Sequence, residues 1–182
     1  MNAAAPGTPT DADLTEAAPV SRIPALGPRG EGWVALQGVC FALIIAAVYS
    51  APQAPAEDDA TAGTRMLFGY VFAIIAAVFL GTGIAELKRA RAFAYVPLPP
   101  GQGRLVESGP YRFVRHPIYT GLILGALGLA INIPWAGTFI ASALLALVLD
   151  LKRRREEIWL TQRYPEYAAY KTRTKALMPF VY

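Results

Sequence analysis

The chain has 182 residues, 54% hydrophobic and only 16% charged, with a formal net charge of +4 and a mean hydropathy of +0.36. Soluble domains carry about 25% charged residues, so this composition excludes a disordered chain and an ordinary soluble domain, and the length allows one domain. One Cys and one His exclude an intrachain disulfide framework, a Cys-based zinc ribbon and two-His metal motifs, so no metal site is expected.

Residues 1–30 are rich in Ala, Pro, Thr and Gly and read as a flexible segment. They do not resemble a cleavable signal, because no basic stretch precedes an apolar run and none begins before Trp33. Residues 31–182 read as a single membrane-embedded domain. Three stretches lack any charged side chain: Gly32 to Ala56, Met66 to Ala85 and Pro117 to Leu149. The first two suit one membrane helix each, over Trp33–Ser50 and Met66–Leu87, since a span takes about 20 apolar residues. Cys40 in the first is expected to be a small packing residue. The third stretch is too long for one span, and Pro134 near its centre lacks the N–H a helix interior needs. It reads as a helical hairpin, Ile118–Ile131 and Trp135–Leu151, with a tight turn at Asn132-Ile133-Pro134. Gly121, Gly125 and Gly128, with Gly137 and Ala141, permit close helix approach or plain packing.

The basic residues set an orientation. The first loop holds only Arg65, beside Glu57, Asp58 and Asp59, whereas most Lys and Arg lie in 87–117 and 152–182. Basic residues near span ends favour the cytoplasmic side, so four spans put both basic segments and both termini in the cytoplasm. The Ala- and Arg-rich composition points to a bacterial source and hence an inner membrane.

Two of these cytoplasmic segments hold the candidate chemistry. In the first, Ser108-Gly109-Pro110 signals a turn, and Arg115-His116-Pro117 precedes the third span, with Pro117 suited to its first turn. His116, Arg115 and Tyr119 then cluster at a helix N-terminus, a place that favours anions, and Arg115 offers a planar fork for a carboxylate. The plainer reading makes Arg112 and Arg115 topology signals and Tyr111, Tyr119 and Trp135 interfacial aromatics. In the second, the fourth helix continues past the apolar run, pairing Lys152 with Glu156 and Arg153 with Glu157 at i,i+4. Here the plainer reading is a solvated charge run, or a basic patch for anionic lipid, over Arg153–Arg155. The tail Tyr164–Tyr182 interleaves Tyr with Lys and Arg; beside a membrane span it reads as an interfacial amphipathic helix rather than a nucleic-acid surface. Its last apolar residues, Leu177-Met178-Pro179-Phe180-Val181, suit packing on the bundle.

The string Gly109-Pro-Tyr-Arg-Phe-Val-Arg-His-Pro-Ile-Tyr-Thr-Gly121, followed by Glu156-Glu157, Tyr-x-x-Tyr and Pro-Phe, resembles the isoprenylcysteine carboxyl methyltransferases and the related phospholipid N-methyltransferases. The shared pattern covers Leu105 to Phe180. The resemblance implies an integral membrane enzyme using S-adenosylmethionine and releasing S-adenosylhomocysteine. It implies cofactor contact for Leu105, Val106, Tyr111, His116, Pro117, Ile118, Tyr119 and Glu156. It also implies a substrate-linked basic residue four before the Glu, which is Lys152 in that register, or Arg153 with Glu157 if the register shifts by one. Lys does not replace a bidentate Arg well, so a prenylcysteine carboxylate is not the obvious substrate. With Arg115, these three residues make the candidate catalytic set.

The expectation is therefore an all-α polytopic membrane protein with about four transmembrane helices, a cytoplasmic cofactor pocket and a C-terminal amphipathic helix. Its partners would be membrane lipids and a lipophilic or small-molecule methyl acceptor: a carboxylate, a thiol or a lipid headgroup. An ionised acceptor needs no base, whereas an amine does, and His116 is the side chain suited to that; the reading leans to the ionised kind. The alternatives are an NADPH-dependent reductase of the sterol-reductase type, which shares a His-Pro-x-Tyr-x-Gly stretch, and a non-catalytic membrane protein that keeps the motif.

Overall fold

The computed structural model describes residues 23–52, 58–100 and 103–178. Residues 1–22 of the expected flexible segment, Glu57 of the first loop and the tail from Pro179 lie outside them. The described residues form five α-helices and one 3-10 turn. These are α1 (Glu31–Tyr49), α2 (Asp59–Arg89), the turn Gly109–Arg112, α3 (Pro117–Asn132), α4 (Ala136–Arg163) and α5 (Tyr167–Arg173).

Helix boundaries follow local chemistry. Asp58 caps α2, its carboxylate accepting from the Thr61 N–H at 2.9 Å and the Thr61 hydroxyl at 2.7 Å. Pro117 occupies the first turn of α3, where its missing N–H costs nothing. The expected break falls between Asn132 and Ala136, and the Thr138 hydroxyl closes it by donating to the carbonyls of Ile133 and Trp135, each at 2.7 Å. Arg65 donates to the Asn132 carbonyl, placing a cation at the C-terminal end of α3. Residues 23–30 are tied down by Trp33 Nε1 donating to the Pro24 carbonyl at 3.1 Å and by the Leu98 N–H donating to the Arg29 carbonyl at 3.3 Å.

The helices run alternately up and down. α3 packs most extensively on α2, and α4 on α1. The glycines of α3 therefore serve the α2 contact more than the hairpin partner. A Cβ at Gly128 would lie 2.8 Å from the Gly69 carbonyl oxygen, and one at Gly121 would lie 2.9 Å from the Ala76 carbonyl oxygen. Cys40, Ile44, Ala126, Ala141, Leu145 and Leu149 form the core between α1, α3 and α4, so Cys40 is indeed a packing residue.

Two helices, α1 and α2, are long and apolar enough to cross a membrane, and only 22% and 17% of their most apolar windows are buried. A soluble core helix buries most of its apolar surface, whereas here Leu36, Val39, Phe68, Ile74 and Val78 face outward. α3 is a shorter apolar helix. α4 is apolar to Leu149 and then continues without a break through its charged half.

The close approach of α2 and α3 generates a test. Gly128→Ala should lower the thermal midpoint of the detergent-solubilised protein, by about 1–3 kcal/mol of stability, because backbone must shift to admit the methyl. Gly81→Ala, where a Cβ meets nothing within 4 Å, should leave it unchanged or raise it. Equal effects in the two variants would contradict glycine-mediated packing.

Candidate functional site

The site begins with backbone geometry. Gly109 adopts φ +58 at the entrance to the 3-10 turn, a conformation that favours glycine. The Ser108 hydroxyl donates to the Glu86 carboxylate, which also accepts from Arg89 at 2.7 Å, fixing the turn to the end of α2. The chain then extends through Val114, which pairs in parallel with Lys175. The Arg115 N–H donates to the Lys175 carbonyl at 2.8 Å and the His116 N–H to the Ala176 carbonyl at 3.1 Å. The Thr120 hydroxyl donates to the Leu177 carbonyl at 2.6 Å. The tail thus folds back over the Arg-His-Pro corner.

Of the expected amphipathic helix over Tyr164–Tyr182, the described residues form the seven residues of α5, and its apolar side is turned inward. Tyr167 and Tyr170 are buried, and the Tyr170 hydroxyl donates to the Tyr111 carbonyl at 2.7 Å. The physical reason is that these rings have a cavity to cover.

That cavity, of about 270 Å³, lies where the charged ends of α2, α3 and α4 meet the 92–99 loop and α5. This is just below the usual range for small-molecule sites, about 300–1,000 Å³. Leu105, Val106, Tyr111, His116, Ile118, Tyr119 and Glu156 all line it, as do Arg115 and Lys152. Pro117 does not; it is fully buried, and its ring packs against Gly83. Arg153 and Glu157 also lie outside the lining. Ile118 and Tyr119 are in the first turn of α3, where helical geometry leaves N–H groups without an intrahelical partner.

The two neighbouring glutamates have different surroundings. Glu156 Oε2 accepts from the Tyr119 hydroxyl at 2.8 Å and lies 3.8 Å from His116 Nδ1. The rings of Tyr119 and His116 stack, 5.4 Å apart and 8° from parallel. Glu157 is enclosed by cations: Arg115 Nε donates to its Oε1 at 3.0 Å, Lys171 Nζ lies 3.0 Å from Oε2, and Arg153 lies 3.6 Å away. His116 Nε2 completes the set at 3.2 Å. Burial pushes the Glu157 carboxyl up, but the hydrogen bond and charge of His116, the charge of Arg115 and the Lys171 contact outweigh it and hold the group well below the usual carboxylate range.

Several basic residues differ from the plainer expectation. Arg153 and Arg155 are buried, not part of a solvated run; Arg153 bridges Asp150 and Glu157, and Arg155 stacks on the Trp159 ring at 4.6 Å. Continuation of α4 alongside the loop and tail covers that face. Arg154 alone of the three is half-exposed, paired with Asp150 at 2.8 Å. Arg115 does not hold its fork open for a ligand: beyond Glu157 it donates to the carbonyls of Lys171 and Thr174. Lys152 donates to Gln37 Oε1 at 2.7 Å and lies 5.2 Å from the Tyr119 ring centroid. Burial pulls the Lys152 pKa down, with Glu156 partly opposing the shift.

Sequence reasoning missed Gln37, Tyr164, Tyr167, Tyr170 and the 92–99 loop as parts of the cavity wall. Gln37 could have been found as a lone amide in an apolar run. The tyrosines had a signal in their repeated three-residue spacing, whereas the loop had none. Among the described residues, no group of three or more His, Cys, Asp or Glu side chains could hold a metal ion.

Glu157→Gln should cost about 3–5 kcal/mol of stability, because it strips the buried cations of their counter-charge, whereas Arg154→Ala should stay within about 0.5 kcal/mol of wild type. The depressed pKa gives the sign with pH: the Glu157 contribution is complete above the unfolded carboxyl pKa, about 4.3, and is lost as pH falls from there toward the folded value. In thermal melts the gap between wild type and Glu157→Gln should be constant near neutrality and narrow below about pH 4.3. A gap independent of pH down to acid unfolding would refute the charge assignment.

A profile of the phospholipid methyltransferase family matches residues 64–167, from the first turns of α2 to the start of α5. The cobalt-zinc-cadmium resistance protein CzcN of Cupriavidus metallidurans is 36% identical over 105 residues, covering 55% of this chain and 46% of that protein. The nickel-cobalt-cadmium resistance protein NccN of Alcaligenes xylosoxydans xylosoxydans is 30% identical over 115 residues, covering 59% and 50%. The chain spans about half the length of these curated relatives. The matched segment contains the Arg-His-Pro corner and both glutamates, and by this match the chain belongs to the phospholipid methyltransferase family.

Proposed function

We propose that the chain is a membrane methyltransferase that moves a methyl group from S-adenosylmethionine to a lipophilic or small acceptor at the cytoplasmic membrane face. The observation that carries this reading is the cavity joining Glu156, Tyr119 and His116 at the charged end of the bundle to Gln37, Ile84 and Leu122 on the apolar helices. A polar ligand from the aqueous side and an apolar acceptor from the bilayer could meet in it.

In this reading α1 to α4 all cross the membrane. The short α3 and the 14 apolar residues at the start of α4 are accommodated by the turn at Asn132–Trp135 sitting in the interface. The site end carries nearly all the basic residues and faces the cytoplasm. The organisms of the two relatives agree with a bacterial inner membrane. Those relatives are named for metal resistance, and methylation of the acceptor would be this chain's part in any such process.

The lining suits the cofactor. Tyr167 is 1% exposed and its hydroxyl has no hydrogen-bond partner among the described residues, although the ring lines the cavity. Burial, and then the charge of Glu157, raise its pKa far above neutrality, so it stays a neutral donor awaiting an acceptor atom. Glu156 supplies a carboxylate for hydroxyl or ammonium groups, and several tyrosines, a ring type that attracts cations, line the same cavity. When bound, S-adenosylmethionine supplies an electrophilic methyl on a sulfonium. The residues then hold the reacting partners in line and keep water out, which for such a displacement supplies much of the rate.

Purified protein should bind S-adenosylmethionine and S-adenosylhomocysteine saturably in titration calorimetry and should not bind NADPH. Glu156→Ala and His116→Ala should each weaken that binding at least about tenfold, equivalent to about 1.4 kcal/mol, while keeping the helical signal of the wild type. Unchanged affinity in both variants would sink the site, and NADPH binding alone would favour a reductase. Tyr167→Phe should melt no lower than wild type, since it removes an unpaired buried hydroxyl, yet bind either cofactor form or the acceptor several-fold more weakly.

A further inference from the structure

Arg153, Arg154 and Arg155 follow one another on α4, and the first two are paired. Arg153 bridges Asp150 and Glu157, and Arg154 holds Asp150 at 2.8 Å. Arg155 is only 5% exposed, yet its guanidinium has no hydrogen-bond or ion-pair partner among the described residues. It lies 4.6 Å from the ring centroid of Trp159, one turn further on. Trp159 is fully buried, and its Nε1–H, like the Arg155 Nε–H, meets no acceptor among the described residues.

Buried indole N–H groups ordinarily find a partner, and a buried charge is tolerable only when paired. Burial pulls the Arg155 pKa down, but a guanidinium does not shed its proton inside a protein. The carboxylates of α4 are committed elsewhere: Asp150 to Arg153 and Arg154, Glu156 to Tyr119, and Glu157 to Arg115 and Lys171. Two adjacent buried donors, one of them charged and neither with an acceptor, call for an anion.

The position of the pair selects which anion. Lys152, one turn before Arg155, is held by Gln37 of α1, and Trp159 packs with Leu98 and with Ala25 ahead of α1. Arg155 therefore stands where α4 passes the start of α1, about 6 Å along the helix from Leu151, the last apolar residue before the charged half. In the membrane reading this is the headgroup level of the cytoplasmic leaflet, which carries anionic lipid phosphates. The planar fork of Arg suits phosphate oxygens, and the indole N–H can serve a further one. Arg155 and Trp159 are not among the residues lining the cavity of His116 and Glu156, so a group held here is separate from the methyl acceptor.

We propose that Arg155 and Trp159 form a phosphate-binding site outside the cavity, the guanidinium supplying charge and fork and the indole N–H a further hydrogen bond. The site does not depend on the methyltransferase reading. Because Trp159 packs on Ala25, an occupied site ties α4 to the segment ahead of α1. A lipid headgroup and free phosphate share this chemistry, and the experiment separates them.

Full-length protein would be purified in detergent, stripped of phospholipid by extended washing, and melted alone, with inorganic phosphate, with dioleoylphosphatidylglycerol, or with dioleoylglycerol, which has the same chains and no phosphate. Phosphatidylglycerol has no amine to be methylated. Stripped Arg155→Met should melt no lower than stripped wild type, since it replaces an unpaired buried charge with an apolar chain. A phosphate ligand at about a hundredfold excess over its dissociation constant should raise the wild-type midpoint by about 5–10 °C, and should raise that of Arg155→Met far less. A rise with phosphatidylglycerol alone identifies a lipid headgroup as the occupant, and an equal rise with inorganic phosphate identifies free phosphate. Arg154→Ala should respond as wild type does. Trp159→Phe keeps the ring and loses only the N–H; it should bind several-fold more weakly, and it decides the matter if the Met variant does not fold. The proposal is overturned if neither phosphate raises the midpoint, if dioleoylglycerol raises it as much as phosphatidylglycerol, or if both variants respond like wild type.

Discussion

The Glu157 carboxylate is the interaction on which the site depends. It is buried on α4, yet it joins three parts of the chain that are distant in sequence: Arg115 and His116 at the start of α3, Arg153 on its own helix and Lys171 on α5. A carboxylate removed from water is tolerable only when paired and hydrogen-bonded, and here its four partners reach it from three segments. The same contacts that keep the charge stable therefore hold the corner, the long helix and the tail in one arrangement. Glu156, one residue earlier and so about 100° around the helix, lines the cavity instead, and adjacent positions of α4 thus hold a structural carboxylate and a cavity carboxylate.

A second constraint is the apolar bundle beneath. Without a strong hydrophobic drive between helices in lipid, close backbone approach has to supply contact. Gly69, Gly121 and Gly128 let α2 and α3 approach closely enough that added methyls would strike backbone oxygen or the Asn132 side chain. This fixes where Pro117 begins α3 relative to Gly83, and hence where His116 stands. The polar end is thereby positioned by packing along the apolar helices and locked by ion pairs above them.

Much of this was legible in the sequence, for reasons specific to each element. Charge-free runs set the apolar helices, and Asn132-Ile133-Pro134 marked the break between α3 and α4. The Arg-His-Pro corner and the Glu pair were legible because few other residues could do chemistry, and the family match covers both. Burial of Arg153 and Arg155 was not legible: charge on a helix normally signals solvent, and only the fold reveals that loop and tail segments cover that face. The inward turn of α5 was hidden for a related reason. Tyrosines among lysines suit either an interface or a cavity wall, and the choice depends on the Val114–Lys175 bridge, which pairs residues 61 positions apart.

Lys152, at the position where the resemblance implies a forked cation, takes on a physical sense in this setting. Lys152 is buried, held by Gln37 of α1 and set against the Tyr119 ring, so its charge is directed along one line rather than spread over a planar fork. Arg115, which lines the cavity together with Arg104, is committed to Glu157 and to tail carbonyls. Neither residue thus offers the bidentate geometry that favours recognition of a carboxylate. What the cavity does offer is the Lys152 ammonium, the Glu156 carboxylate, the Arg104 guanidinium, the Tyr167 hydroxyl, which has no partner among the described residues, and the His116 imidazole. That set is spread over several elements as single polar groups, so it matches a ligand by its pattern of hydrogen bonds more than by one planar fork.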